Sequence, residues 1–153
     1  MLVTTGLIIL NIFWLNVSVL AQNIEKTERC RWAIANTKSK LTTSLELEIP
    51  WEKTSKVYYS DYPQGRLYRY DFGMEGKAVA SVMNSPVLMK SLAERIINNC
   101  DSIGIVSFGM YMSDRTTAYG FMPSGKVEMF ECPADYPGMG DPNWRGLIWG
   151  ESC

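Results

Sequence analysis

Four side chains in this sequence come close to declaring their chemistry by type alone: Cys30, Cys100, Cys132 and Cys153. No two of them form a C-x-x-C pair, and the chain contains no histidine. A zinc or copper site therefore has no imidazole to draw on, and the thiols lack the spacing of a thiolate cage. The missing histidine also rules out Ser-His-Asp and Cys-His nucleophiles. Four widely spaced cysteines in an oxidising compartment read instead as two disulfides. The expectation is no metal and no cofactor.

Carboxylates, Ser-Lys neighbours and aromatics make up the rest of the inventory. A two-acid glycosidase needs its carboxyl groups about 5 to 10 Å apart across a cleft. Glu128 and Glu131 fall on opposite faces of one strand, and Asp101 and Asp114 flank another at its two ends, so neither is a natural pair. Ser55-Lys56 and Lys90-Ser91 lack the S-x-x-K spacing that sets a lysine over a serine. The glycines of Gly104-Ile105-Val106-Ser107-Phe108-Gly109 sit in an apolar strand, where they mark close packing rather than a phosphate loop. Tyr58, Tyr59, Tyr62, Tyr68, Tyr70 and Phe72 cluster within 15 residues, and Trp144 and Trp149 lie near the end. Such rings pack beneath a helix or, if exposed, stack on sugars or anchor a protein. Tyr68, Tyr70, Trp144 and Trp149 are the candidate binding surface.

The address of this chemistry is written in residues 1–21. MLVTTGLIILNIFWLNVSVLA carries no charge, ends in Val19-Leu20-Ala21 and gives way to the polar QNIEKTERC. An apolar core followed by small residues at −3 and −1 is the pattern of a cleaved secretory signal. The apolar stretch from Gly6 to Ala21 is interrupted by Asn11, Asn16 and Ser18 and is shorter than the about 20 residues a spanning helix needs. The expectation is a secreted or periplasmic protein with no stable membrane insertion after cleavage, residues 22–153 forming a single domain. A formal net charge of −1, from 15 basic and 16 acidic residues, gives nothing to attract nucleic acid.

Several elements must position these residues. Residues 22–40, around Arg31-Trp32-Ala33-Ile34-Ala35, read as a short strand or arm. Leu45, Leu47 and Ile49 alternate with Glu46 and Glu48 as a half-buried strand that Pro50 ends. Val57-Tyr58-Tyr59 reads as a second short strand, 61–65 as a turn, and Arg66 to Phe72 as a strand with Tyr68, Tyr70 and Phe72 on one face. Lys77 to Met83 reads as a strand or an extended lead into a helix. Ser85 is a suitable N-cap with Pro86 at the first helical position. Leu88/Met89, Leu92/Ala93, Ile96/Ile97 and Cys100 then recur at helical spacing, predicting an amphipathic helix. Strands Ile103 to Met112, Thr116 to Met122 and Lys126 to Cys132, joined by short turns, predict an antiparallel meander. Residues 133–153, with three Pro and four Gly, read as an irregular tail.

The meander discriminates among cysteine pairings. Cys100 precedes its first strand and Cys132 ends its third, so they lie at opposite ends, separated by about eight residues of about 3.3 Å each. A disulfide needs Cα atoms within about 7 Å. Cys30–Cys100 with Cys132–Cys153 is the favoured arrangement, and Cys30–Cys132 with Cys100–Cys153 is the alternative.

The segments SPVLMKSLAERIINNC, IGIVSFG, AYG, MPSGKVEMFECP and the late WG resemble small secreted proteins of cyanobacteria, an uncharacterised group. The resemblance spans residues 63–153, implies the same extracytoplasmic, disulfide-bonded character and carries no catalytic or binding residue. The predicted fold is α+β: one amphipathic helix on an antiparallel sheet with a C-terminal three-stranded meander and two disulfides. The predicted function is a non-enzymatic binding or interaction protein whose partner is protein or envelope glycan; the alternative is a carboxylate-based cell-wall glycan hydrolase.

Overall fold

The computed structural model describes residues 26–136 and 146–153. Its core begins at helix α3 (Pro86–Asn99), preceded by a short helix α2 (Val79–Met83) and, earlier in the chain, by α1 (residues 26–39). Met89, Leu92, Ala93, Ile96 and Ile97 bury the apolar stripe of α3. Ser85 is its N-cap by position, but its side chain makes no capping bond; its carbonyl accepts the first helical bond, from Met89 N.

The sheet beneath has five strands among the described residues: β1 (Glu48–Lys56), β2 (Tyr68–Glu75), β3 (Ile103–Met110), β4 (Thr116–Phe121) and β5 (Val127–Met129), in that spatial order. β3, β4 and β5 form the antiparallel meander. β1 pairs antiparallel with β2, but β2 and β3 run parallel, so the sheet is mixed rather than wholly antiparallel. The chain between β2 and β3 passes through α2 and α3, and a helical crossover returns it in the same direction. Residues 77–83, expected as a strand or extended lead, provide the start of that crossover.

Three further expectations need correction. Residues 26–39 are helical, not a strand or arm. Cys30, Ala33, Ile34, Thr37 and Leu41 recur at helical spacing and turn inward, but small and polar members dilute the stripe. Pro50 lies inside β1 rather than ending a strand. β1 is an edge strand with a register shift between Glu48 and Trp51, where a missing N–H is tolerated. Residues 57–59 leave the sheet instead of forming a strand.

Both disulfides take the favoured pairing: Cys30–Cys100 ties α1 to the end of α3, and Cys132–Cys153 closes the C-terminal segment. Arg66 closes the α3–β3 corner. Its Nη1 donates to the carbonyls of Ile97, Cys100 and Ile103 at 2.7, 2.9 and 3.0 Å, satisfying groups that the end of the helix leaves open. The guanidinium lies 4.3 Å from the centre of the Phe121 ring.

Side-chain alternation divides the sheet into two environments. Tyr70, Phe72 and Met74 of β2, with Val106 and Phe108 of β3 and Tyr119 of β4, join the helices in the main core. Phe72 and Phe108 stack with centroids 5.6 Å apart. On the other face, Ile105 and Ala118 join Phe130 and Trp149 in a second cluster, against which Val57, Tyr59 and Tyr62 pack. That cluster covers only part of the face.

Candidate functional site

The uncovered part is a cleft of about 340 Å³ whose floor is a repeated tripeptide pattern. Asp71-Phe72-Gly73 on β2 lies in register with Ser107-Phe108-Gly109 on β3, each residue opposite its counterpart. The two phenylalanines point to the main core, so period-two alternation sends Asp71, Ser107 and the two glycines to the opposite face. The paired glycines leave a shallow slot. A Cβ on Gly73 would sit 3.2 Å from Trp51 Cε3, and one on Gly109 3.0 Å from Thr116 Cγ2. Trp51 and Thr116 therefore wall the slot on either side.

The polar groups are few and specifically arranged. Asp71 is 8% exposed and Ser107 3% exposed. Arg69 donates through Nε to Asp71 Oδ1 at 2.9 Å, and its Nη2 lies 2.7 Å from the same oxygen. Nη2 also donates to Ser107 Oγ at 2.8 Å. Among the described residues nothing donates to Asp71 Oδ2. At the rim, Trp51 is 44% and Tyr111 42% exposed, and Met112, at the tip of the β3–β4 turn, is almost fully exposed. Met112 also holds a φ of 57°, a conformation that is uncommon outside glycine and clusters at binding and switch sites.

The aromatic residues singled out from sequence do not form an exposed row. Tyr70 and Trp149 are buried, Tyr68 is half-buried against the main core, and Trp144 lies outside the described residues. The physical reason differs for each ring. Tyr68 and Tyr70 alternate onto the helix-covered face, where the Tyr70 hydroxyl donates to Glu52 Oε2 at 2.8 Å. Burial, reinforced by that carboxylate, pushes the Tyr70 phenol far above its usual range. Trp149 is drawn down by the Cys132–Cys153 closure. Its indole N–H donates to Phe121 O at 3.0 Å and its backbone N–H to Asp61. Gly104 and Gly120 admit this cluster: a Cβ on Gly120 would lie 2.1 Å from Phe130, and one on Gly104 2.9 Å from Trp149.

None of Asp101, Asp114, Glu128 and Glu131, which the sequence did not join into a natural pair, lines the cleft. Asp101 and Asp114 lie in the segments before and after β3, and Asp101 is held by Lys26 at 3.0 Å, whose hydrogen bond draws its carboxyl below the usual range. Among the described residues Asp71 is the only carboxylate lining the cleft. Among the described residues no cluster of His, Cys, Asp and Glu is suited to hold a metal ion, and no helix is long and apolar enough to cross a membrane. Residues 1–21 lie outside the described residues.

Sequence reasoning missed Arg69, Asp71, Ser107 and Trp51. The available signal was the twin polar-Phe-Gly pattern, with Ser107 the lone polar residue between apolar neighbours. No protein-family model, curated protein or solved structure matches this chain.

Proposed function

We propose that this chain is a secreted or periplasmic, non-enzymatic binding protein that takes its ligand in the sheet-face cleft between Trp51 and Thr116. The observation that carries the reading is the buried pair Asp71 and Ser107, joined by the half-buried Arg69, beneath exposed aromatic rings. A mostly apolar concavity with a few convergent polar groups is the usual form of a ligand site. The extracytoplasmic address is supported by the signal-like start, by the two disulfides and by the resemblance to small secreted cyanobacterial proteins.

Binding is favoured over glycan hydrolysis by the acids themselves. A glycosidase sets a second carboxyl across the cleft from the first, whereas among the described residues Asp71 lines this cleft without another acid, and it is engaged by Arg69. Its role is to accept hydrogen bonds and to fix the guanidinium.

The test is to express the full chain, with its own amino-terminal run, in a host that exports and oxidises it. The product is expected to begin at Gln22. Fragment mixtures screened by amide chemical shifts are expected to perturb residues 69–73 and 107–113. A retained amino terminus overturns the address, and perturbations confined elsewhere overturn the site.

A further inference from the structure

Resting on that reading of the cleft, we infer that its ligand is an uncharged sugar: one pyranose ring stacked on Trp51, with two neighbouring hydroxyls held by Asp71 and Ser107. Four features of the cleft converge on this class.

The first is charge. Among the described residues Arg69 and Asp71 are the only charged ones lining the cleft and lie 2.7 Å apart, so they cancel locally. Lys53 stands opposite Asp71 on β1 but is exposed and does not line the cleft. A phosphate or uronate would meet no net attraction there and would be set beside the Asp71 carboxylate, which disfavours a like charge.

The second is hydrogen-bonding capacity. Arg69 occupies Asp71 Oδ1 twice over and leaves Oδ2 as an acceptor in a residue that is 8% exposed. Ser107 Oγ receives its bond from Arg69, so its own proton is available to donate. The two residues are register partners on adjacent strands, about 4.8 Å apart. A vicinal diol matches this pair: one hydroxyl donates to Oδ2 while its neighbour accepts from Ser107. A wholly apolar ligand would instead strand a desolvated carboxylate oxygen.

The third is the apolar complement. A pyranose has a flat C–H face as well as a polar edge, and the half-exposed rings of Trp51 and Tyr111 offer surfaces to receive it. Gly73 and Gly109 let Trp51 and Thr116 lie close to the backbone, which sets the stacking ring low in the cleft. The fourth is size. About 340 Å³ falls at the lower end of the about 300–1,000 Å³ typical of small-molecule clefts, which suits one or two sugar rings.

The experiment titrates the oxidised full chain with uncharged mono- and disaccharides of gluco, galacto and manno configuration, with and without N-acetyl groups, and with digalacturonate. Amide shifts and tryptophan emission are the readouts. At least one uncharged sugar is expected to bind saturably and to shift residues 69–73 and 107–113. Trp51→Ala is expected to weaken it at least about tenfold, Trp51→Phe to restore most of the affinity, and Ser107→Ala to weaken it about threefold to tenfold. Trp51 is on an edge strand and partly exposed, so its variants fold; Tyr111→Ala supplies a second surface variant, with an expected loss of about threefold. Preference for digalacturonate overturns the uncharged ligand, and sugar binding indifferent to Trp51→Ala overturns the stacking geometry. If the sugars fail while other fragments map to residues 69–73 and 107–113, the sugar class falls and the cleft stands as the site. If nothing maps there, both readings fall.

Discussion

The sheet face away from the helices is treated in two ways along its width. Where β3 and β4 run toward β5, Ile105, Ala118 and Gly120 lie under Phe130 and Trp149, and Cys132–Cys153 holds that cover in place. Where β1, β2 and β3 meet, the same face carries Asp71, Ser107, Gly73 and Gly109 and has no such cover among the described residues. Among the described residues each half has one tryptophan. Trp149 is 8% exposed, makes edge-to-face contacts with Tyr59 and Phe130 at 5.5 and 5.3 Å, and has its indole N–H satisfied. Trp51 is 44% exposed and lies against a glycine. Identical chemistry is spent on stability in one half and is left facing solvent in the other.

Truncating the two rings should separate the halves most widely. Trp149→Ala removes a large buried ring and its hydrogen bond, and is expected to cost about 3–5 kcal/mol in urea unfolding. Trp51→Ala should cost less than about 1 kcal/mol, because half of its ring is already in water. Equal losses would break the distinction between a structural half and a binding half.

Opening the clasp comes next. With Cys132 and Cys153 separated by 21 positions in the sequence, the paired Cys→Ser variant is expected to lose about 3 kcal/mol in the chain-entropy model. Its tryptophan emission should move to longer wavelength as Trp149 becomes hydrated, while amide shifts at residues 69–73 stay close to wild type. Extensive shifts at 69–73 would mean that the cover also shapes the cleft.

The glycines sharpen the same contrast at smaller amplitude. Gly120→Ala drives a methyl to 2.1 Å from Phe130 and is expected to destabilise by about 1–3 kcal/mol. Gly109→Ala meets Thr116 Cγ2 at 3.0 Å and the Arg115 carbonyl at an ordinary 3.5 Å, and its stability change should stay under about 1 kcal/mol. Its effect belongs to binding, because the methyl occupies the floor of the cleft. Ligand titration alongside thermal melts distinguishes the two.

The halves also differ in how far they can be read from the chain. The clasp rests on features that sequence displays openly: cysteines 21 apart, a Pro/Gly-rich segment and three strands whose turns fix their order. Helix α3 is legible from its spacing, and the meander narrows the cysteines to two pairings, of which the favoured one, with Cys30–Cys100, is formed. The cleft depends on register instead. Arg69 and Asp71 share one face of β2, but Ser107 joins them only because α2 and α3 return β3 parallel to β2, and antiparallel pairing would have set different residues opposite one another. Trp51 joins them through an edge strand that contains Pro50, a residue which by itself argues against a strand. Helix α1 was hidden because Ala33 and Thr37, both fully buried, make its inward stripe too weak to announce itself.

The smallest effect concerns what holds β1, and with it Trp51, against the rest of the fold. Glu52 accepts from Lys38 Nζ at 2.7 Å and from the Tyr70 hydroxyl at 2.8 Å, linking α1, β1 and β2. The Lys38 bond is the main reason its carboxyl is drawn below the ordinary value of 4.5; burial opposes the shift and the Tyr70 bond adds to it. A carboxyl with a depressed folded-state pKa contributes stability that is present above 4.5 and is lost as the pH falls through the lower folded value. Both partners are more than a third exposed, so solvent screening keeps the contribution below about 1 kcal/mol. Glu52→Gln should therefore flatten the acid limb of a plot of melting temperature against pH while leaving the neutral region slightly lowered. The Trp51 amide and its β1 neighbours should show the earliest acid-induced shifts in wild type, ahead of Trp149. Simultaneous response of the two tryptophans would mean that the cleft wall and the clasp loosen as one unit, and that the two halves of the face are not independent.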